Sequence, residues 1–172
     1  RVLRALQNLS VWNTGRLGIV AGRGIDAMLR ILRDPDGCLG SLESAALVLN
    51  NLCVVVGNRR LLLEAGGLPV LMQALQEPLP PAPAPGGRPS RCREHLFSTL
   101  HALLTLPAAQ EAFEREGGIH FLLRELIAAP DTNVLGHIAG AIMNVAKDPW
   151  MKCEIGKTKG VIARLIRLLG AA

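Results

Sequence analysis

The sequence contains no tyrosine, and aromatic residues make up only 3% of it. A stacking platform for single-stranded nucleic acid needs exposed aromatic rings, so the composition argues against that class. Cysteine is also sparse. Cys38, Cys53, Cys92 and Cys153 stand 15, 39 and 61 residues apart, with no Cys-x-x-Cys pair. That spacing argues against a disulfide scaffold and for reduced thiols in a cytoplasmic or nuclear protein. No apolar run approaches the ~20 residues of a membrane helix. The longest candidate, Leu47 to Val56, is broken by Asn50 and Asn51 and stopped by Gly57-Asn58-Arg59-Arg60. Neither an initiator Met nor a signal peptide precedes the helical pattern at Arg1, so a piece of a longer protein is expected.

The material for a core is present: 172 residues, 49% apolar, enough to bury about 70% of the unfolded surface. The net charge of +5 is unevenly placed. Residues 1–33 carry +5, residues 34–146 carry −4 and residues 147–172 carry +4. A polyanion running the length of the chain would favour a continuous basic stripe, so nucleic acid is not the expected partner. The basic ends leave room for an acidic peptide.

The strongest signal is an internal repeat. Glycines at 24, 67, 118 and 160 each open a short helical run, at separations of 43, 51 and 42. Upstream of each lies a second anchor, Asn8, Asn51, Ala102 or Asn144, and the interval between anchors is 16 in all four cases. The long interval of 51 contains an insertion of about nine residues. It coincides with the Pro-rich stretch at 77–90, which holds Pro78-x-x-Pro81 and Pro80-x-x-Pro83 with Arg88 and Arg91 nearby. That spacing suits a polyproline ligand or a solvated spacer. Leu42, Ala45, Ala46, Leu49 and Leu52 fall on one helix face, and no segment alternates with period two for the length of a strand. The Gly-Gly pairs suit sharp helix–helix corners, where one residue needs positive φ or two backbones approach closely. Each unit cannot bury its stripe alone, so neighbours stack into a continuous core.

The period near 42 and the phrase running from Asn58 through Glu64-Ala65-Gly66-Gly67-Leu68 to Leu71 resemble the junction of helices one and two in armadillo repeats. Ala5-Leu6-Gln7-Asn8-Leu9 is similar to the end of the third armadillo helix, the one that lines a concave groove. The resemblance implies an all-α, right-handed α-solenoid of three-helix repeats. In that frame residues 1–12 end one repeat, and residues 13–55, 56–106 and 107–147 form three full repeats. The second carries the loop at 77–90, and residues 148–172 begin another.

The resemblance also implies a site. In the family the third-helix Asn bonds the backbone of an extended peptide, and an amide can both donate and accept. The matching positions are Asn8, Asn51 and Asn144, with Ala102 a departure. Four residues earlier, on the same helix face, stand Arg4, Leu47, Ser98 and Gly140. Importin-α-like grooves carry Trp there, so a nuclear-localisation-signal receptor of that type is not expected. Seven residues before the anchors lie Arg1, Ser44, His95 and His137. The groove is then basic at its N-terminal end and carries histidines further along, whose titration near neutrality would let mild acid alter binding. The other role open to each Asn is to tie adjacent repeats together.

Other fragments are weak. Gly22-x-Gly24-x-x-Ala27 lacks a preceding strand, and Gly156-Lys157-Thr158 lacks the upstream Gly of a phosphate loop. Cys92, His95 and His101 share a predicted helix but do not supply the four ligands of structural zinc. Leu100-x-x-Leu103-Leu104 and Leu165-x-x-Leu168-Leu169 read as core stripes. Trp12 and Trp150 open first helices, as packing residues or interface edges. No catalytic constellation appears, and no cofactor or metal is expected. The expected function is a non-catalytic protein–protein interaction module, an adaptor or scaffold in a larger cytoplasmic, also nuclear, protein. It would bind an extended peptide or helix in its groove, with no membrane role. The alternative is the client-binding domain of a co-chaperone or assembly factor that joins tetratricopeptide and armadillo domains. Self-association through the helix at 161–169 is a further expectation.

Overall fold

A computed structural model describes residues 1–34, 36–78, 91–129, 132–147 and 149–169. Among the described residues every regular element is an α-helix. The chain divides into two compact units, Arg1–Leu103 and Leu104–Ala172.

The first unit holds α1 (Val2–Ser10), α2 (Asn13–Ala21), α3 (Gly24–Leu32), α4 (Leu39–Leu52), α5 (Val56–Glu64), α6 (Gly67–Gln76) and α7 (Cys92–Leu103). Here α1 packs on α4, α4 on α7, α3 on α4 and α6, and α6 on α7. The second unit holds α8 (Pro107–Arg115), α9 (Gly118–Ala128), α10 (Thr132–Val145), α11 (Pro149–Lys157) and α12 (Val161–Leu169). In this unit α9 contacts α8, α10 and α12. Most of the Pro-rich loop, residues 79–90, lies outside the described residues; Arg91 is described and pairs with Glu94 at 2.8 Å.

The helices after each glycine bury one stripe at i, i+3, i+4 and i+7. It is Ile25, Met28, Leu29 and Leu32 in α3, Leu68, Leu71, Met72 and Leu75 in α6, and Ile119, Leu122, Leu123 and Leu126 in α9. In α12 the second position of the stripe is Arg164, which is half-buried. Its guanidinium donates to the carbonyls of Leu126 and Ala129 at 3.3 and 2.8 Å, capping the end of α9.

The Gly-Gly corner meets both demands at once, on successive residues. Gly66 takes φ +73°, and a Cβ on Gly67 would stand 2.5 Å from Leu62 Cδ1. Gly117 and Gly118 repeat this division, the latter against Phe113. The fourth corner departs from the aligned register: Gly160 itself takes the positive φ, +89°, and α12 begins one residue later. The first corner departs in another way, with Arg23 at φ +57° in the position that Gly66 and Gly117 occupy.

A second device recurs in α2, α5 and α8, where one side chain donates back to a carbonyl six residues earlier. Arg16 Nε and Nη2 donate to the carbonyls of Ser10 and Val11 at 2.9 and 2.7 Å. Forty-three residues on, Arg59 Nε donates to the Cys53 carbonyl at 2.6 Å. Gln110, at the next equivalent position, donates to the Leu104 carbonyl at 2.8 Å. The last carbonyls of a helix lack intrahelical partners, and a cation placed there also complements the helix dipole.

Candidate functional site

The site begins with the packing of α1 against α4 and of α4 against α7, which sets three third-type helices side by side in the first unit. On α4 the stripe Ala45, Ala46, Val48, Leu49 and Leu52 is buried. Ser44, Leu47 and Asn51 stay half-buried on another face. On α1 the corresponding residues Arg4 and Asn8 are exposed, as is Arg1 at its N-cap. On α7 Ser98 and Ala102 are half-buried. The α1 end of this face therefore carries two exposed guanidinium groups. Of the acids on these helices, Glu94 pairs with Arg91 and Glu43 lies half-buried.

The histidine at 95 sits differently from its expected place. It is 9% exposed, its carbonyl accepts from Thr99 Oγ1 at 2.8 Å, and its ring offers little surface to a ligand. In the second unit Asn144 is likewise buried, at 8% exposure, whereas His137 is half-buried on the same helix, α10. Trp12 is 70% exposed and so packs no core. Leu100, Leu103 and Leu104 are fully buried, as a core stripe requires.

Asn51 makes the tie between repeats. Its Nδ2 donates to Ser10 Oγ at 2.8 Å, and Ser10 donates to the Gln7 carbonyl at 2.7 Å. One N–H and the Oδ1 of Asn51 remain for another partner. Ser44 donates to the Gly40 carbonyl at 2.7 Å, so its hydroxyl keeps acceptor capacity.

Among the described residues no group of three His, Cys, Asp or Glu side chains is placed to hold a metal ion. No helix among them is long and apolar enough to cross a membrane. The buried thiols of Cys53 and Cys92 are pushed up to about 12 by desolvation. The exposed Cys38 thiol is lowered by its hydrogen bond with Ser41. The helix-capping residues Arg16, Arg59 and Gln110 escaped the reading of the sequence. Their signal was a hydrogen-bonding side chain recurring at the repeat interval.

No protein-family profile matches the sequence, and no curated protein matches it in sequence. Solved structures do. An engineered protein superposes with a TM-score of 0.75 at 18% identity, over 98% of this chain and 65% of its own. A designed armadillo repeat protein in complex with the peptide (KR)4 gives a TM-score of 0.74 at 16% identity, over 98% of this chain and 66% of its own. Computationally designed armadillo repeat proteins for modular peptide recognition give 0.76 at 16%, over 97% and 66%. The chain spans just under two thirds of the length of these structures. A likeness of this extent establishes the fold: the chain is an α-solenoid of the armadillo-repeat type.

Proposed function

We propose that this chain is a non-catalytic protein-interaction module. The face shared by α1, α4 and α7 receives an extended segment of a protein partner. The observation that carries the reading is the side-by-side packing of three helices that leave the polar Arg1, Arg4, Asn8, Ser44, Asn51 and Ser98 exposed or half-buried, with apolar Leu47 and Ala102 among them, while the neighbouring stripe is buried. The designed armadillo proteins of the same fold, one bound to (KR)4 and others made for peptide recognition, support it. The peptide in that complex is basic; here Arg1 and Arg4 at the α1 end favour an acidic segment. Asn8, and the remaining amide atoms of Asn51, grip its backbone, while Leu47 and Ser98 meet its side chains. His137 and Asn144 are the equivalent residues of the second unit. A rigid face of this kind loses little freedom on binding. The domain plan is one armadillo domain, acting as an adaptor or scaffold in the cytoplasm or nucleus.

A second reading, the client-binding domain of a co-chaperone, rests on the exposed apolar residues Val2, Leu9, Val11, Trp12 and Leu17 on and around α1 and α2. The exposed Ile162 and Ile166 of α12 would serve self-association.

Fluorescence anisotropy with labelled (Glu-Asp)4 and (Lys-Arg)4 peptides tests the leading reading. The acidic peptide should bind, more weakly as salt rises, and the Arg1→Glu, Arg4→Glu variant should lose about tenfold or more in affinity. Equal binding of both peptides, or an unchanged affinity in the variant, rejects it. Suppression of aggregation of an unfolded client, with no peptide preference, would instead favour the co-chaperone reading.

A further inference from the structure

The basic N-terminal third of the chain does not place all its charge on the α1 face. Arg23, Asp26, Ala27, Arg30 and Arg33 fall at i, i+3, i+4, i+7 and i+10, along one side of α3 and its caps. With Gly22, Leu29 and Ala65, at the C-cap of α5, they line a cavity of about 590 Å³ within the first unit. Of this lining Leu29 is fully buried, while Arg23, Arg30 and Arg33 are exposed. Arg23 Nε donates to Asp26 Oδ2 at 3.0 Å, which holds that guanidinium along the helix and leaves its two Nη groups open. Arg30 and Arg33 are exposed and form no ion pair among the described residues. Three guanidinium groups against one carboxylate leave the notch at +2.

The backbone supplies an independent observation. Arg23 lies at φ +57°, ψ +34°, where the equivalent residues of the next two corners are Gly66 and Gly117. A left-handed conformation penalises any residue with a Cβ, and glycine solves the same corner elsewhere in this chain without that penalty. Residues held in such conformations cluster at binding and catalytic sites. Here the conformation brings a third guanidinium to the mouth of the cavity.

We propose that this notch is a second binding site, which takes the phosphoryl group of a phosphorylated serine or threonine in a protein partner. A phosphoserine carries about −1.5 to −2 charges at neutral pH and three acceptor oxygens, which matches the +2 of the notch; a single carboxylate would leave half of it unneutralised. Guanidinium forks bind such oxygens in pairs. The cavity is larger than a phosphoryl group alone and leaves room for flanking residues. A single compact cluster with no aromatic side chain suits one anionic group better than the continuous backbone of a nucleic acid.

The test uses fluorescein-labelled peptides of neutral sequence centred on phosphoserine or on serine, at constant ionic strength. Inorganic phosphate and phosphatidylserine vesicles serve as separate arms. The phosphopeptide should bind saturably, about tenfold or more tighter than the serine peptide. Arg30→Gln and Arg33→Gln should each weaken it about fivefold or more. Arg23→Gly should weaken it while raising Tm, a pairing that a purely structural arginine would not give. Lys147→Gln, in the second unit, should leave the affinity unchanged. Equal binding of both peptides, insensitivity to Arg30 and Arg33, inorganic phosphate as tight as the phosphopeptide, or a preference for vesicles would each overturn the proposal. These variants leave α1, α4 and α7 untouched, so failure here does not bear on the peptide-binding face.

Discussion

Asn51 Nδ2 donates to Ser10 Oγ across 2.8 Å, linking two helices whose residues are 41 positions apart in sequence. The equivalent positions of the next repeat are Cys53 and Ala102. A polar pair at one repeat is thus matched by an apolar pair at the next. This gives the departure at Ala102 a physical reason: with a buried thiol in place of the serine, an asparagine amide would lack this acceptor.

Removing either half of the Asn51–Ser10 link should cost about 1–2 kcal/mol, because a buried polar atom loses its partner. Copying the next repeat with Ser10→Cys and Asn51→Ala together should cost less than the two single changes summed. A double-mutant cycle by urea unfolding measures the coupling, expected near 1 kcal/mol. A strictly additive cycle would mean the bond contributes nothing.

The glycine corner should discriminate sharply between neighbouring sites. Gly67→Ala drives a methyl group into Leu62 and should destabilise by about 1–3 kcal/mol. Gly66→Ala forces a Cβ into the left-handed region at about 1–2 kcal/mol. Gly18, helical with open space around it, should gain about 0.5–1 kcal/mol on conversion to Ala. Thermal unfolding of the three variants gives the order directly.

Arg59 caps the carboxyl end of α4 through the Cys53 carbonyl. Arg59→Leu should destabilise by about 1–2 kcal/mol, and Arg59→Lys should recover part of that through the helix dipole. Hydrogen exchange should show the loss concentrated in the last turn of α4. Uniform loss of protection across the first unit would contradict a capping role.

The four thiols should separate by reactivity. Cys38, exposed and with its thiol lowered by Ser41, should react first with iodoacetamide near pH 8, ahead of exposed Cys153. Cys53 and Cys92, pushed up to about 12, should label only on unfolding. Their folded values lie above the unfolded value of 9.0, so their contribution to stability is intact below pH 9 and is lost as pH rises toward 12. Unfolding midpoints from pH 8 to 11 should fall less steeply in a Cys53→Ala, Cys92→Ala variant.

The repeat and its fold were legible in the chain itself. The separations of 43, 51 and 42 and the recurring interval of 16 are properties of the sequence alone. They follow because a helix buries residues at a fixed local period and a tight corner needs glycine. The stripe of α3, α6 and α9 could be read in the same way.

What each polar residue does was decided by tertiary structure. The same spacing places an asparagine at 8, 51 and 144, yet the first is exposed, the second is tied to Ser10 and the third is buried. His95 shares a register position with the half-buried His137 and is itself buried. Arg164 occupies a core position and turns its guanidinium to the carbonyls of α9. Periodicity assigns a residue to a helix face, which is a local matter. Its hydrogen-bond partner and exposure depend on what a neighbouring helix, about forty residues away in sequence, brings against that face.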